Sequence, residues 1–516
     1  MSTLYTNAVI YPWAGAEPAR ALRTENNRIT HVLYGDESVG ADKKIDLQGA
    51  TVFAGLVDAH MHLRNLGTTL AMLNLREPTE LEALLEKIRQ AHGSLSEGEW
   101  LMGRGWDQHT WPGEMVPDRA VLDRIAPHHP VYLIRVDGHA AWVNSRALEL
   151  AGIDDNTPDP PGGEIIRDEK GRATGVLIDL AMDLVREAMP EEKPARIRDD
   201  FKRGIAHCRS FGVTGVHDMG MTPKELAVLL ELEKNGELDF RVTVYLFGNE
   251  EELKPLVERP PKRDGLVRVV GVKLFVDGAL GSYGALMMEP YHDRPGYSGL
   301  LLADPDELKS RARHTHEAGY QLAIHAIGDR ANHIALDAIA HAQRGAAGRL
   351  HRVEHAQLLD AACIERFVEL GAVASMQPIH AMEDLKWAEG HLGDERLLYA
   401  YPWAQLERAK VPVPLGSDAP VEAANPWLGI DAALFGGPKE PSTGSAERRL
   451  SLDQAIRGYT RTPAQVTHED YLGEIKPGFL ADLTVVDQDP YQGDLPELAG
   501  IKTRLTVVDG VASAGQ

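Results

Sequence analysis

Thiols are nearly missing from this chain. Cys208 and Cys363 are the only cysteines in 516 residues; they have no CxxC spacing, and both fall in helix-like patterns. A disulfide framework and a thiolate metal site are therefore not expected, and both cysteines read as core residues. Positive charge is also in deficit. Lys plus Arg numbers 54 against 77 for Asp plus Glu, a formal charge of −23, and no basic block offsets it. Nucleic acid and an anionic membrane surface are thus disfavoured as partners. Long apolar runs are lacking too: no stretch approaches the ~18 uninterrupted apolar residues of a spanning helix. The start, "MSTLYTNAVIYPWAG", has no cationic region leading into an apolar core and a small-residue cleavage site. A soluble cytoplasmic protein with a small-molecule substrate is the expectation, and symmetric assembly into a homo-oligomer, a dimer, follows from the general prevalence of such assemblies.

What is present is a rhythm. Eight short β-branched or apolar runs alternate with longer helical stretches: "TVFAGLVDAHMHL", "GVTGVHDMG", "RVTVYLFG", "RVVGVKLFVDG", "YQLAIHAIG", "RLHRVEHAQ", "GAVASMQP" and "VPVPLGSDAP". Alternating βα units predict a parallel sheet, and eight is the number that closes a (β/α)8 barrel. The fold class is therefore α/β, a TIM-like barrel with additions at three places. Short strand–turn units in residues 1–50 and 472–516 predict one β-sandwich domain built from both termini. Barrel strand one lies in residues 51–75. Residues 76–200 then interrupt the rhythm, with their own helical patterns and the turn-rich "DNTPDPPGGE", and read as an inserted cap. The remainder of the barrel spans residues 201–471.

Histidine spacing gives the first chemical signal. Residues i and i+2 of a strand share a face, whereas on a helix they point about 200° apart, so His-x-His chelates only from extended backbone. His60 and His62 meet this condition at the end of strand one. His314 and His316 do not: "ELKSRARHTHEAG" reads as a solvated helix. His128 and His129, between two prolines, read as loop residues. At the ends of later strands, where barrel active sites assemble, stand His325, His355 and Asp418. Four histidines and an aspartate suit a zinc, nickel, iron or manganese ion better than magnesium or calcium. Lys273 stands in mid-strand in the fourth run, where an unpaired buried ammonium is costly. It is either ion-paired, with Asp277 or a neighbouring strand, or it has captured carbon dioxide as a carbamate that bridges two metals.

These residues, in this order, resemble the amidohydrolase superfamily over essentially the whole chain. At a narrower level, "GRGWD", "DGHAAWVNSRAL", "VKLFVDGALGS", "HAIGDRA", "VEHAQ" and "GEIKPGFLADLTVVD" are similar to the branch of YtcJ-like proteins and N-substituted formamide deformylase, amidohydrolase family 3. The resemblance implies metal ligation by His60, His62, Lys273, His325, His355 and Asp418, with Lys273 carboxylated on its side-chain nitrogen. It also implies a binuclear centre of two Zn2+ per chain.

Amide hydrolysis needs a nucleophile at neutral pH, a polarised carbonyl and a proton for the leaving nitrogen. Asp418 is the candidate general base and acid. Substrate contacts are expected from Trp106, His139 and Trp142 in the cap, with Trp111 a weaker candidate, and from Ser282, Tyr283 and His292 in the Gly-rich segment after Lys273. Asp329 and Gln377, at strand ends, are expected to position ligands by hydrogen bonds. The activity expected is hydrolysis of a C–N bond in an N-substituted formamide or another N-acyl amine. Attack on a cyclic amide, carbamate, ester or lactone, or deamination, are the neighbouring alternatives, and a non-catalytic binding scaffold is the remote one.

Overall fold

Seven of the eight runs form parallel strands that pair in chain order: β1 (Leu56–Met61), β2 (Val213–Met221), β3 (Arg241–Leu246), β4 (Val267–Phe275), β5 (Gln321–Ala326), β6 (Arg352–His355) and β7 (Val373–Ser375). This computed structural model describes the chain except residues 36–38, 79, 94, 96–97, 109–110, 112–116, 136–137, 139, 161–162, 249, 345–348, 438–443, 493–497 and 515–516. The strands are buried almost throughout, as expected where helices cover a parallel sheet. The connecting helices begin and end on local signals. Thr222 and Glu225 form a capping box at the start of helix Pro223–Lys234, which buries Leu226, Val228, Leu229 and Leu232. Asp360 caps Ala361–Leu370 through the Cys363 N–H, and left-handed Gly371 ends it.

The eighth run departs from expectation. Residues 412–419 are extended but do not form a regular strand. Pro412 and Pro414 accept hydrogen bonds from Ala374 and Met376 of the β7 side, yet have no N–H to return. On the other side Leu415 accepts from Ala59, and Asp418 donates to the His60 carbonyl at 2.7 Å. The result is a nearly closed, barrel-like sheet whose edges both hydrogen-bond to one irregular segment. A close approach requires glycine there: a Cβ on Gly416 would stand 2.5 Å from the His60 nitrogen.

The chain divides into two compact units, one of residues 1–65 with 201–516 and the other of residues 66–200. In the first, the termini add two sheets. One orders Arg28–Leu33, Ala21–Glu25, Ser2–Thr6 and Lys43–Asp46; the other orders Val9–Ile10, Thr51–Ala54, Leu483–Val486, Thr503–Val508 and Val511–Ala514. Tyr5, Leu22 and Ile29 of one sheet and Val52, Leu483 and Val507 of the other share one apolar core. The second unit carries its own six-stranded sheet, in which "PVYLIRVDGHAAW" supplies two antiparallel strands and not a barrel strand. No helix among the described residues is long and apolar enough to cross a membrane.

Both cysteines are buried and unpaired, on helices Pro194–Ser210 and Ala361–Leu370. His314 is exposed on helix Pro305–Glu317, but His316 corrects the expectation of a solvated pair: it is buried and bonded to His351 at 2.9 Å. The helical period turns the two histidines to different faces, and one meets the barrel wall.

The base of β3 is tied to the C-terminal segment by a buried ion pair. Arg241 donates two hydrogen bonds to Asp482, at 2.6 and 2.9 Å, and another to Asp509 at 2.9 Å. Removing the guanidinium leaves the Asp482 carboxylate buried without its cation. Arg241→Met is therefore expected to cost about 3 kcal/mol, read as a lower urea midpoint by circular dichroism.

Candidate metal centre

Strand alternation places Asp58, His60 and His62 on one side of β1 and its extension. His60 is fully buried and His62 is partly exposed. Asp58 locks the eighth segment beside them. Its carboxylate accepts the Ser417 hydroxyl at 2.5 Å, the Ser417 N–H at 3.0 Å and the His60 N–H at 3.1 Å. That register brings Asp418 Oδ1 to 3.5 Å from His60 Nε2 and 3.3 Å from His62 Nε2.

His325 is the penultimate residue of β5 and His355 ends β6, with ring centroids 4.5 Å apart; the His355 ring lies 4.7 Å from that of His60. Simple alternation would send Glu354 and His355 to opposite faces. His355 instead has φ +73°, and Asp418 has φ +58°, left-handed conformations that cost non-glycine residues energy and re-aim both side chains into the site. Ligand atoms of His60, His355 and Asp418 all fall within 4.8 Å of one another. Lys273, from mid-β4, is buried and electrostatically coupled to Asp418 and Glu354. All six residues expected around one centre are thus on the same end of the sheet.

The donor set fits a cation. Burial holds the imidazoles neutral: His60 is pushed down to about 4, His325 to about 3 and His355 well below the usual range, with the positive charge of Lys273 adding to the effect in each. Asp418 is held well below the carboxylate range by His62, His60 and His355, which outweigh its burial. Nε2 of His60 and of His325 are buried with no hydrogen-bond partner. Unpaired buried nitrogens facing a carboxylate are what a metal site looks like through its protein atoms.

The other ring nitrogens are spoken for. His60 donates Nδ1–H to Glu354 Oε2 at 2.7 Å, and His355 donates Nδ1–H to Gln377 Oε1 at 2.9 Å, leaving Nε2 lone pairs directed inward. Gln377 thus does what its strand-end position suggested. Asp329 does not touch these histidines; it accepts from Met288 and Arg330 N–H groups, each at 2.8 Å, and ties the loop after β4 to a helix start. Asp277 is no ion-pair partner for Lys273. Its carboxylate is occupied by the N–H groups of Leu286, Ile327 and Gly328, and burial raises it to about 7 against their effect.

Beneath the histidines lies a network that sequence reasoning missed. Arg352 and Glu354 are both 0% exposed. Arg352 pairs with Glu354 through two hydrogen bonds, at 2.8 and 3.0 Å. It also reaches His217 on β2, Tyr245 on β3, the Ala59 carbonyl on β1 and Ser375 on β7. The signal was available: "RVEH" puts two charges inside a short barrel strand, the same anomaly that drew attention to Lys273.

The expected substrate contacts fare differently. Trp106 and Trp142 are core residues of the 66–200 unit, which corrects their assignment to a pocket. They are 1% and 0% exposed, pack in one apolar cluster with Trp111, and Trp106 spends its indole N–H on the Leu133 carbonyl at 2.8 Å. His139 lies outside the described residues. Ser282 donates to the Ala279 carbonyl, and Tyr283 donates to Asp293 with Arg294 stacked 3.5 Å from its ring centre. His292 is exposed beside Gly393. Among the described residues none of these three hydrogen-bonds to the histidines of the cluster.

A parallel barrel-like sheet carrying buried imidazoles and a carboxylate at its strand ends defines a metal-dependent hydrolase. The comparisons agree: the sequence profile of the Amidohydrolase family matches residues 43–513, and the chain belongs to that family, hydrolytic enzymes acting on carbon–nitrogen bonds other than peptide bonds. It is 33% identical over 478 residues to YtcJ of Bacillus subtilis (strain 168), covering 91% of this chain and 90% of that protein. It is 28% identical to N-substituted formamide deformylase of Arthrobacter pascens, covering 96% and 94%. The crystal structure of a metal-dependent hydrolase from Pyrococcus furiosus superposes with TM-score 0.81 at 30% identity, covering 95% of this chain and all of that one.

Because Glu354 fixes the tautomer of His60 and is the counter-ion of buried Arg352, Glu354→Gln is expected to weaken Zn2+ binding about 10- to 100-fold and also to lower the urea midpoint. Competition with a chromophoric chelator measures the former.

Proposed function

We propose that this enzyme hydrolyses a linear amide-type bond of a small molecule, an N-substituted formamide or another N-acyl amine. Its proposed centre holds two Zn2+ ions through His60, His62, His325, His355, Asp418 and Lys273 as a carbamate. The observation that carries the reading is the grouping of ligand atoms of His60, His355 and Asp418 within 4.8 Å of one another, with the His60 Nε2 buried, unpartnered and 3.5 Å from Asp418. Divalent zinc, when bound, supplies a water acidic enough to lose its proton near neutrality and a positive charge against the carbonyl oxygen.

The residues divide the remaining work. Asp418 is anionic, buried and central, so it takes the proton of the attacking water and delivers it to the leaving nitrogen. Gln377 and Glu354 hold the rings of His355 and His60. Lys273 has no carboxylate at salt-bridge distance among the described residues, and burial lowers it to about 8 against the raising effect of Glu354 and Asp418. An amine that is partly neutral near physiological pH can add to carbon dioxide, and the carbamate would replace an unpaired buried cation with a ligand anion. The formamide choice rests on the likeness to N-substituted formamide deformylase.

Metal analysis of protein purified without chelator, paired with non-denaturing mass spectrometry and an N-benzylformamide assay, tests these points. About two zinc-class ions per chain, one added carbon dioxide and release of formate are expected. Lys273→Ala should lose the carbon dioxide and one ion. Retention of two ions and full turnover in that variant overturns the carbamate, and failure to bind metal after reconstitution overturns the centre.

A further inference from the structure

A seventh side chain faces the cluster. His380 opens a short helix, His380–Asp384, after β7. It is 8% exposed, and its ring lies parallel to that of His355, with centroids 6.1 Å apart. Its Nε2 points at Asp418 Oδ2 from 3.7 Å and has no hydrogen-bond partner. The two oxygens of Asp418 are thus divided. Oδ1 faces the imidazoles of strand one, and Oδ2 faces His380.

The partner of the other ring nitrogen separates His380 from the ligand candidates. His60 and His355 each give Nδ1–H to a side-chain oxygen and turn a lone pair inward. The outer partner of His380 is different: Gln357 Nε2 lies 3.2 Å from His380 Nδ1, and with the amide in this orientation, its Oε1 buried and unpartnered, the amide nitrogen is the donor. In a neutral imidazole the proton must then sit on Nε2, so His380 turns an N–H inward. At 3.7 Å that N–H is too far from Asp418 for a good hydrogen bond. A buried donor without an acceptor is a cost that a bound acceptor relieves.

We propose that His380 is a catalytic residue that donates Nε2–H to the carbonyl oxygen of the substrate, with Gln357 as the residue that sets its tautomer. As the water oxygen adds to the carbonyl carbon, the carbonyl π pair moves onto oxygen. A fixed donor there becomes stronger as that charge grows, which lowers the barrier and not merely the binding constant. The position also suits the proton path. Asp418 lies between His380 and the strand-one histidines, so a carbonyl oxygen held by His380 keeps the reacting carbon beside the base.

The inference rests on the metal-centre reading, and one experiment separates the two. Full-length protein is loaded with Co2+ and titrated with acetohydroxamate, an acyl oxygen probe, while the visible absorption is followed. His380→Phe and His380→Asn are expected to keep wild-type Co2+ content and spectrum but bind the probe about tenfold or more weakly. His380→Gln, which carries an N–H at similar reach, should recover most of the affinity. Loss of Co2+ from the folded variants makes His380 a ligand and overturns the proposal. Unchanged affinity, or no probe binding by Co2+-loaded wild type, overturns it while leaving the metal centre intact. Wild-type protein that takes up no Co2+ overturns the metal centre itself, and the role of His380 with it.

Discussion

A guanidinium enclosed on every side is the constraint around which this barrel is arranged. Arg352 has five N–H groups and no access to water, so each must find an acceptor inside the sheet or the fold pays several kcal/mol. The acceptors come from β1, β2, β3, β6 and β7. Satisfying one side chain therefore fixes the relative heights of five strands. Glu354 supplies the opposite charge and shares its second oxygen with His60. The interaction that balances charge in the barrel interior is the same one that orients the first imidazole of the site.

Charge explains the layering above it. The buried carboxylates of Asp58 and Asp277 are fully engaged by hydroxyl or backbone donors and are raised to about 7 by burial. They serve the geometry: one locks residue 417 to β1, the other closes the loop after β4 onto the start of the next helix. Asp418 differs because its neighbours are the imidazoles of His62, His60 and His355, which keep it ionised despite burial. A carboxylate in such surroundings stays anionic at neutral pH, whereas the two structural carboxylates, raised to about 7, titrate there.

Much of this was legible because alternation and spacing are local. His60 and His62 announced themselves by their i, i+2 spacing, and the run of βα units gave seven strands in the right order. What stayed hidden depended on departures from local rules. The eighth run reads as a strand by composition, but Pro412 and Pro414 cannot donate, so toward β7 it returns a hydrogen bond only from Gly416. Trp106 and Trp142 have the right composition for a pocket and the wrong environment, since only packing reveals that the indoles meet one another. His355 was placed by its strand-end position, but the positive φ that turns it away from the side opposite Glu354 is a tertiary outcome.

His380 was missed for a related reason. It stands three residues beyond Gln377, past the strand, where nothing in the sequence marks a histidine as inward-facing. Its chemistry is decided by Gln357, a residue from a different βα unit. In this site the outer partner of each ring selects what the inner nitrogen offers: an oxygen acceptor behind His60 or His355 leaves a lone pair in front, and an amide donor behind His380 leaves a proton in front. A cluster of chemically identical side chains can in this way carry both metal-binding and proton-donating positions without any change in residue type.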